Sequence, residues 1–447
     1  MATKSRSSKA KTPKKKPAVR VRARKSASRA PAVEQRVAGL AWSDLDARLR
    51  SGTTRAVGGV SQDDLRDYFG PEEFDQLQQL ARFRDTVRSR AKPLGNVIFL
   101  HGITGSDLGV ASGTAGPDNI WVNFFRLING SIDRLKLAPD GANEADPSSR
   151  VSATCVNKRY YARAILELGA RWNVTPFAYD WRKDIDEASN GLAELIRRNF
   201  AGQPVHLVAH SLGGLVCRNF IRLEPKLWES IKDPELVRGG RLIMLGTPNY
   251  GSFAIPQVMT GQDKMIDVLA TLDVRHNLGE VLAITNTFVG TYMLLPAPAK
   301  LPGSLQALYR RPTWGEYAPS IQQKHLDRAF QFHQDLQAAP TIDPARMIYI
   351  AGCRQATLSN LRIVNQGDFD YELTYEGDGR VPHALGLLKD VPTYYVDEVH
   401  GDLARNESVI SAVDELLERG QTKALDTQVL RSIQRAVPTM RDYRTST

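Results

Sequence analysis

From Asn96 onward the chain alternates short, continuous apolar runs with amphipathic stretches, the rhythm of a buried parallel sheet covered by helices on both faces. The runs Val97–His101, Val174–Tyr179, Val205–Ala209, Leu242–Leu245, Met347–Ala351 and Thr393–Val396 predict strands. Helical spacing predicts helices over Ile185–Phe200, Gly213–Leu223 and Leu403–Arg419. Strands and helices in this alternation predict an α/β fold with a mostly parallel, doubly wound sheet. Residues 249–340 break the rhythm: 92 positions separate two strand candidates, where a crossover needs about a dozen or a few more. The interval carries helical strings, "MIDVLATL" and "TFVGTYMLLP", and predicts an inserted cap or lid. Upstream, Ala41–Arg90 reads as short helices. Ser61 precedes an acidic first turn, and Pro71 opens a run in which Phe74, Leu77 and Leu80 recur at helical spacing.

Charge changes this picture at one end only. Twelve of the 59 Lys and Arg lie in Met1–Pro31, which has no acid, leaving 47 basic against 49 acidic residues in the remainder. The basicity therefore belongs to a tail, which argues against a nucleic-acid-binding body. With almost no large apolar side chains, the tail cannot offset the entropy of ordering and is expected to be disordered. Its expected partner is a polyanionic surface, either an anionic membrane, at about 1 kcal/mol per basic residue, or nucleic acid; a targeting role is the third reading. No stable protein partner is inferred. Cys155, Cys217 and Cys353 are odd in number and widely spaced, so neither a disulfide framework nor a zinc site is suggested. No apolar run reaches the roughly 18 residues of a membrane-spanning helix. These features lead to the expectation of a cytoplasmic protein, peripheral on an anionic surface. The expected division is a tail over 1–31, a helical segment over 32–93, the α/β domain over 94–420 with its insertion at 249–340, and an extension over 421–447.

Candidate chemistry begins at Ala209-His210-Ser211-Leu212-Gly213-Gly214, which follows a predicted strand and precedes a helix. A G-x-S-x-G turn needs small residues two before and two after the serine, because the backbone folds tightly and pushes the hydroxyl outward. Here Ala209 stands at the first glycine position. The free N–H groups of the following helix face the same point, which makes the Leu212 N–H a donor to a developing oxyanion. A second donor is expected from the loop after the first strand, His101-Gly102-Ile103, as the Ile103 N–H.

Serine is a weak nucleophile until a base takes its proton, and the base needs an acid to fix its tautomer. His400, in "DEVHGDL", lies past the last predicted strand, and Asp378 sits on a Gly-Asp-Gly turn in "EGDGRVP". The order Ser211, Asp378, His400 places each residue after a strand candidate, at the edge where such sites form. The rival histidines are His101, His206, His210 and His383, each more simply a surface or packing residue; the rival acids are Asp180 and Asp402. In the lid and nearby, Trp121, Tyr292 and Leu294 are candidates to bind an acyl chain, with core packing as their alternative role.

Taken together these strings resemble the α/β-hydrolase superfamily, and within it the lecithin:cholesterol acyltransferase-like lipases and acyltransferases. "HGITGSDL" is similar to that family's P-G-x-x-G-S-x-L, with His101 where proline is usual. "FAYDWR", "AHSLGG", "LGTPNYGS", "TYMLLP" and "EGDGRVP" resemble family segments in one order across about residues 94–405. The resemblance implies a serine acyl-enzyme mechanism on lipid or other acyl esters, with Ser211, Asp378 and His400 as the triad. It implies structural roles for Asp180 and Arg182. No metal or organic cofactor is called for. Hydrolysis and acyl transfer stay open, and the alternative from another class is a noncatalytic scaffold whose working part is the basic tail.

Overall fold

The computed structural model describes residues 33–51, 59–110, 118–121, 131–272, 275–429 and 437–446, so the basic tail lies outside the described residues. The strands are β1 (Asn96–Leu100), β2 (Ser106–Val110), β3 (Asp118–Trp121), β4 (Val151–Val156), β5 (Asn173–Phe177), β6 (Val205–His210), β7 (Leu242–Leu245), β8 (Met347–Gly352), β9 (Thr357–Asn365), β10 (Asp368–Thr374) and β11 (Thr393–Val396). Six of them form one sheet in the order β11-β8-β7-β6-β1-β5. Every neighbouring pair in it is parallel.

Because successive side chains of a strand point to opposite faces, each of these runs feeds two cores. Val97, Phe99, Val208, Ile243, Ile348 and Ile350 enter one core, covered by the helices Lys158–Arg171 and Glu407–Arg419. Ile98, Leu100, Leu207, Ala209, Met244 and Tyr349 enter the other, under the helices Ile185–Asn199 and Leu212–Leu223. A strand buried on both faces has no polar positions to alternate with. That is why the inner strands β1, β6, β7 and β8 read as near-continuous apolar runs, whereas the edge strand β5, Asn173–Phe177, is only partly covered and admits Thr175 and Pro176.

The chain places β5 on one side of β1 and then returns to lay β6 on the other. Loops leaving the carboxyl ends of β1 and β6 therefore diverge and leave a crevice, the place where α/β sheets bind ligands. The segment after β7 carries the helices Ile255–Thr260, Lys264–Leu272, Leu278–Thr285, Val289–Tyr292 and Gln323–Ala338, with no strand among its described residues. Its two roots meet at one side chain. Arg218 of the helix Leu212–Leu223 donates through Nη1 to the Asn249 carbonyl and Oδ1 (3.1 and 3.2 Å) and through Nη2 to Thr341 Oγ1 at 3.1 Å.

The N-terminal helices Trp42–Ser51, Gln62–Phe69 and Pro71–Arg90 bury Leu45, Leu49, Leu65, Phe74 and Leu77 against Ala162 and Leu166. Ser61 and Asp64 form a reciprocal capping box at the second of these helices. Arg84 and Arg88 donate to the Gly169 carbonyl at 3.0 and 2.9 Å, satisfying the C-terminal end of the helix Lys158–Arg171.

Several boundaries differ from the sequence expectation. β1 stops at Leu100 and β5 at Phe177, since the His101 Nε2 accepts the Tyr179 N–H at 3.2 Å and the two chains leave the ladder together. The helix after β11 starts at Glu407 rather than Leu403, because Asn406 caps it by accepting the Val409 N–H; His400–Asp402 forms a separate 3₁₀ turn, and a further helix, Met440–Ser446, was not expected. The three-stranded sheet β3-β2-β4, the hairpin β9-β10 and the helix Lys158–Arg171 were not expected.

Candidate active site

Ser211 stands immediately after β6 as the N-cap of the helix Leu212–Leu223, with φ 54° and ψ −124°. A residue with a Cβ held at positive φ is strained by about 1–3 kcal/mol. The strain is retained because the neighbours over-determine the turn. The Ser211 N–H donates to the Leu245 carbonyl at 2.9 Å, and Gly213 packs so closely under β1 that a Cβ there would lie 2.7 Å from the His101 carbonyl oxygen. Gly102 plays the same part from the other side: a Cβ on it would come within 2.8 Å of Ser211 Cβ.

The other two side chains arrive from across the sheet. His400 Nε2 lies 2.9 Å from Ser211 Oγ, and His400 Nδ1 lies 2.8 Å from Asp378 Oδ2. The second carboxylate oxygen of Asp378 accepts the Arg380 and Val381 N–H groups at 2.9 and 2.7 Å. The His400 N–H returns to the Asp378 carbonyl at 2.8 Å, so the two loops are joined by backbone as well as side chain. Burial raises the Asp378 pKa, but the His400 charge and hydrogen bond together with the two backbone N–H groups outweigh it. They hold the carboxyl below the usual carboxylate range.

The Leu212 N–H opens the helix and has no intrahelical partner. Ile103 lies in the loop that Gly102 presses against Ser211, and both line the same cavity. This cavity is about 450 Å³ in volume, and its floor holds Ser211, His400 and Asp378. Its walls include Trp121, Trp181, Ile266, Leu269, Phe288 and Leu294. Trp121 is fixed by donating its indole N–H to the Thr104 carbonyl at 3.2 Å and by packing on Trp181 at 5.1 Å.

Tyr292 does not belong to that lining and is corrected to a packing residue. It is fully buried, its hydroxyl donating to the Asn286 carbonyl at 2.7 Å and accepting the Gln322 N–H at 3.1 Å. The string "TYMLLP" continues a helical turn, so Thr291 and Leu294, three residues apart, share the side that lines the cavity whereas Tyr292 packs into the core.

The rivals are otherwise engaged, although His210 and Asp402 line the cavity. Asp180 is engaged by Arg182, as Oδ1 with Nε at 3.0 Å and Oδ2 with Nη2 at 2.6 Å, and the same guanidinium is gripped by Glu144. Asp402 lines the cavity but pairs with Arg405 at 3.5 Å. His206 bonds the Val237 carbonyl and the Arg241 N–H, and His383 bonds the Gly352 carbonyl. His101 stacks on Tyr179 at 4.0 Å.

Sequence reasoning missed Arg380, Asp263 and Tyr161. Arg380 borders the cavity and pairs with Asp263 of the insertion; Tyr161 lines it beside His210. An ion pair across 117 residues leaves no trace in local pattern, and Tyr161 lies in an ordinary helical stretch.

A mostly parallel sheet with a strained serine at its switch point, and an acid and a histidine delivered by later strands, defines an α/β hydrolase fold. Within that class the chain is similar to the lecithin:cholesterol acyltransferase family, whose model it matches over residues 155–338. The match contains Ser211, Leu212 and Leu294 and ends before Asp378 and His400. Over 203 residues the chain is 27% identical to the mouse "Lysosomal phospholipase A and acyltransferase", covering 39% of this chain and 44% of that one. Over 126 residues it is 32% identical to the mouse "Phosphatidylcholine-sterol acyltransferase", covering 27% and 26% of the two chains. The chain thus matches less than half the length of these curated relatives. Among solved structures, "The crystal structure of Tle4-Tli4 complex" is similar at 13% identity and a TM-score of 0.44, covering 74% of this chain and 100% of that one.

Proposed function

We propose that the protein is a serine-dependent lipid ester hydrolase or acyltransferase that works through an acyl-enzyme. The observation that carries this reading is the continuous hydrogen-bonded series Ser211–His400–Asp378 on the floor of an apolar cavity. In the reading, His400 Nε2 takes the Ser211 proton as Oγ attacks the ester carbonyl, and Asp378 stays ionised while it orients the ring. The Leu212 and Ile103 N–H groups hold the oxyanion. On collapse the leaving alcohol takes the proton from His400. Water, or a second alcohol, then attacks the acyl-enzyme with the same histidine as base. The similarity to a phospholipase A and acyltransferase and to a sterol acyltransferase supports a lipid acyl donor.

Incubating wild type and Ser211→Ala with a fluorophosphonate probe, and with p-nitrophenyl esters of increasing chain length, tests the reading. Labelling and turnover of wild type are expected, with a loss of about a thousandfold or more in Ser211→Ala. Each added CH₂ that enters the cavity is worth about 0.8 kcal/mol. kcat/KM should accordingly rise by up to about fourfold per CH₂ until the cavity fills. A folded wild type that remains unlabelled with phospholipid vesicles present refutes the serine mechanism and favours the scaffold alternative.

A further inference from the structure

Tyr161 and His210 take no part in the acyl chemistry just described, yet both are buried and both line the cavity. Tyr161 stands on the helix Lys158–Arg171, its ring edge-on to Phe99 of β1 at 5.4 Å. Its hydroxyl accepts the Gly102 N–H at 3.0 Å and lies 2.9 Å from His210 Nδ1. On the far edge of the same imidazole, Nε2 lies 2.9 Å from the carbonyl oxygen of His400.

One arrangement of protons satisfies all three contacts. A carbonyl oxygen only accepts, so His210 Nε2 carries the proton; in the neutral ring Nδ1 is then an acceptor, and the Tyr161 hydroxyl must donate to it while accepting from Gly102. Burial, with the nearby His400 charge acting in the same direction, pushes His210 down to about 3, which keeps the ring neutral at ordinary pH.

We propose that Tyr161 and His210 are positioning residues: the directed series Gly102 N–H to Tyr161 O–H to His210, and His210 Nε2–H to the His400 carbonyl, holds the oxyanion loop and the base loop at a fixed spacing around Ser211. The two loops need such a brace. One leaves β1 and the other leaves β11 at the sheet edge, four strands away, a separation of roughly 19 Å at about 4.8 Å per strand. Both must converge on one hydroxyl, and His210, adjacent to Ser211 in the chain, is placed between them. The series also occupies the Gly102 N–H, which leaves Ile103 as the loop's oxyanion donor. Donors fixed in advance of the reaction stabilise the transition state without reorganising, and small misplacements of such groups are costly in rate. The inference rests on the reading that Ser211 is the nucleophile.

Tyr161→Phe keeps the ring and deletes only the hydroxyl. Active sites are titrated with the fluorophosphonate, kcat is expressed per titrated site, and melting temperature is recorded alongside. The expected result is a fall in kcat of about tenfold with KM within about twofold, since the brace acts on transition-state donors rather than on substrate contacts. His210→Gln, whose amide can still donate to the His400 carbonyl, should retain more kcat per site than His210→Leu. Unchanged kcat per site in Tyr161→Phe, or Gln no better than Leu, overturns the proposal. The wild-type His210 tautomer, read from ¹⁵N-histidine NMR, is a check that needs no variant to fold: Nε2–H is expected, and Nδ1–H overturns the series. Absent labelling of wild type would instead count against the serine reading, while the tautomer would still judge the series.

Discussion

Ser211 is held where glycine would be comfortable, at φ 54°, and that residue shows most directly how stability is surrendered for geometry. Substituting Ser211→Gly should remove the strain, whereas Ser211→Ala keeps the Cβ that causes it. Urea unfolding is expected to show the glycine variant more stable than the alanine variant by about 1 kcal/mol or more, both being inactive. Equal stabilities would mean the turn is not strained. His101 illustrates the reverse situation. It occupies the position where the resembling family has proline, yet its ring nitrogen bonds the Tyr179 N–H and its carbonyl accepts the Tyr179 hydroxyl at 2.6 Å, so the loop keeps its path without the proline.

The loops that leave the strands depend on buried charges that pin them. After β5 the chain turns through Asp180-Trp181-Arg182, and the Arg182 side chain is fully buried between Asp180 and Glu144. It also donates to the Leu135 carbonyl at 2.7 Å. Arg182→Met would leave two largely buried carboxylates without their cation, which costs about 3–5 kcal/mol. Denaturant unfolding should show a loss of that size; a change within about 1 kcal/mol would mean that solvent reaches the carboxylates. The sequence carried Asp180 as a rival acid to which the resemblance gave a structural role, and its pairing with Arg182 is the physical form of that role. Legibility follows the same physics among strands. The inner parallel strands β1, β6, β7 and β8 are buried on both faces and stand out, whereas β9 and β10 carry several exposed positions and read as loop.

Taken across the fold, five of the eight histidines are buried with lowered pKa: His206 and His210 to about 3, and His101, His325 and His333 to about 4. Burial is the leading cause for each. A histidine whose folded pKa lies below its unfolded value binds its proton first in the unfolded chain, so stability falls as pH drops below about 6.5. Each such group contributes about 1.4 kcal/mol per pH unit until the folded pKa is reached. Asp107 and Glu167, raised to about 6 chiefly by burial, work in the opposite direction between pH 6 and their unfolded values. They are outnumbered. Melting temperature should therefore drop steadily from pH 7 to pH 5 in one buffer series, with proton uptake on unfolding; a flat profile would show that these rings are hydrated or charged in the native state.

The sequence alone determined the class of sheet, the residue types of the site and their order along the chain, because buried parallel strands and a strained serine turn are local patterns. It marked Ser211, Asp378 and His400 as candidates for one site. The tertiary structure decided which acid reaches His400, that Leu294 faces the cavity while Tyr292 packs behind it, and that Tyr161 and His210 link Gly102 to the His400 carbonyl. These are relations between residues far apart in the chain, such as the 190 positions between His210 and the His400 carbonyl. Hydrophobic periodicity reports which face of an element is buried and carries no information about what it is buried against.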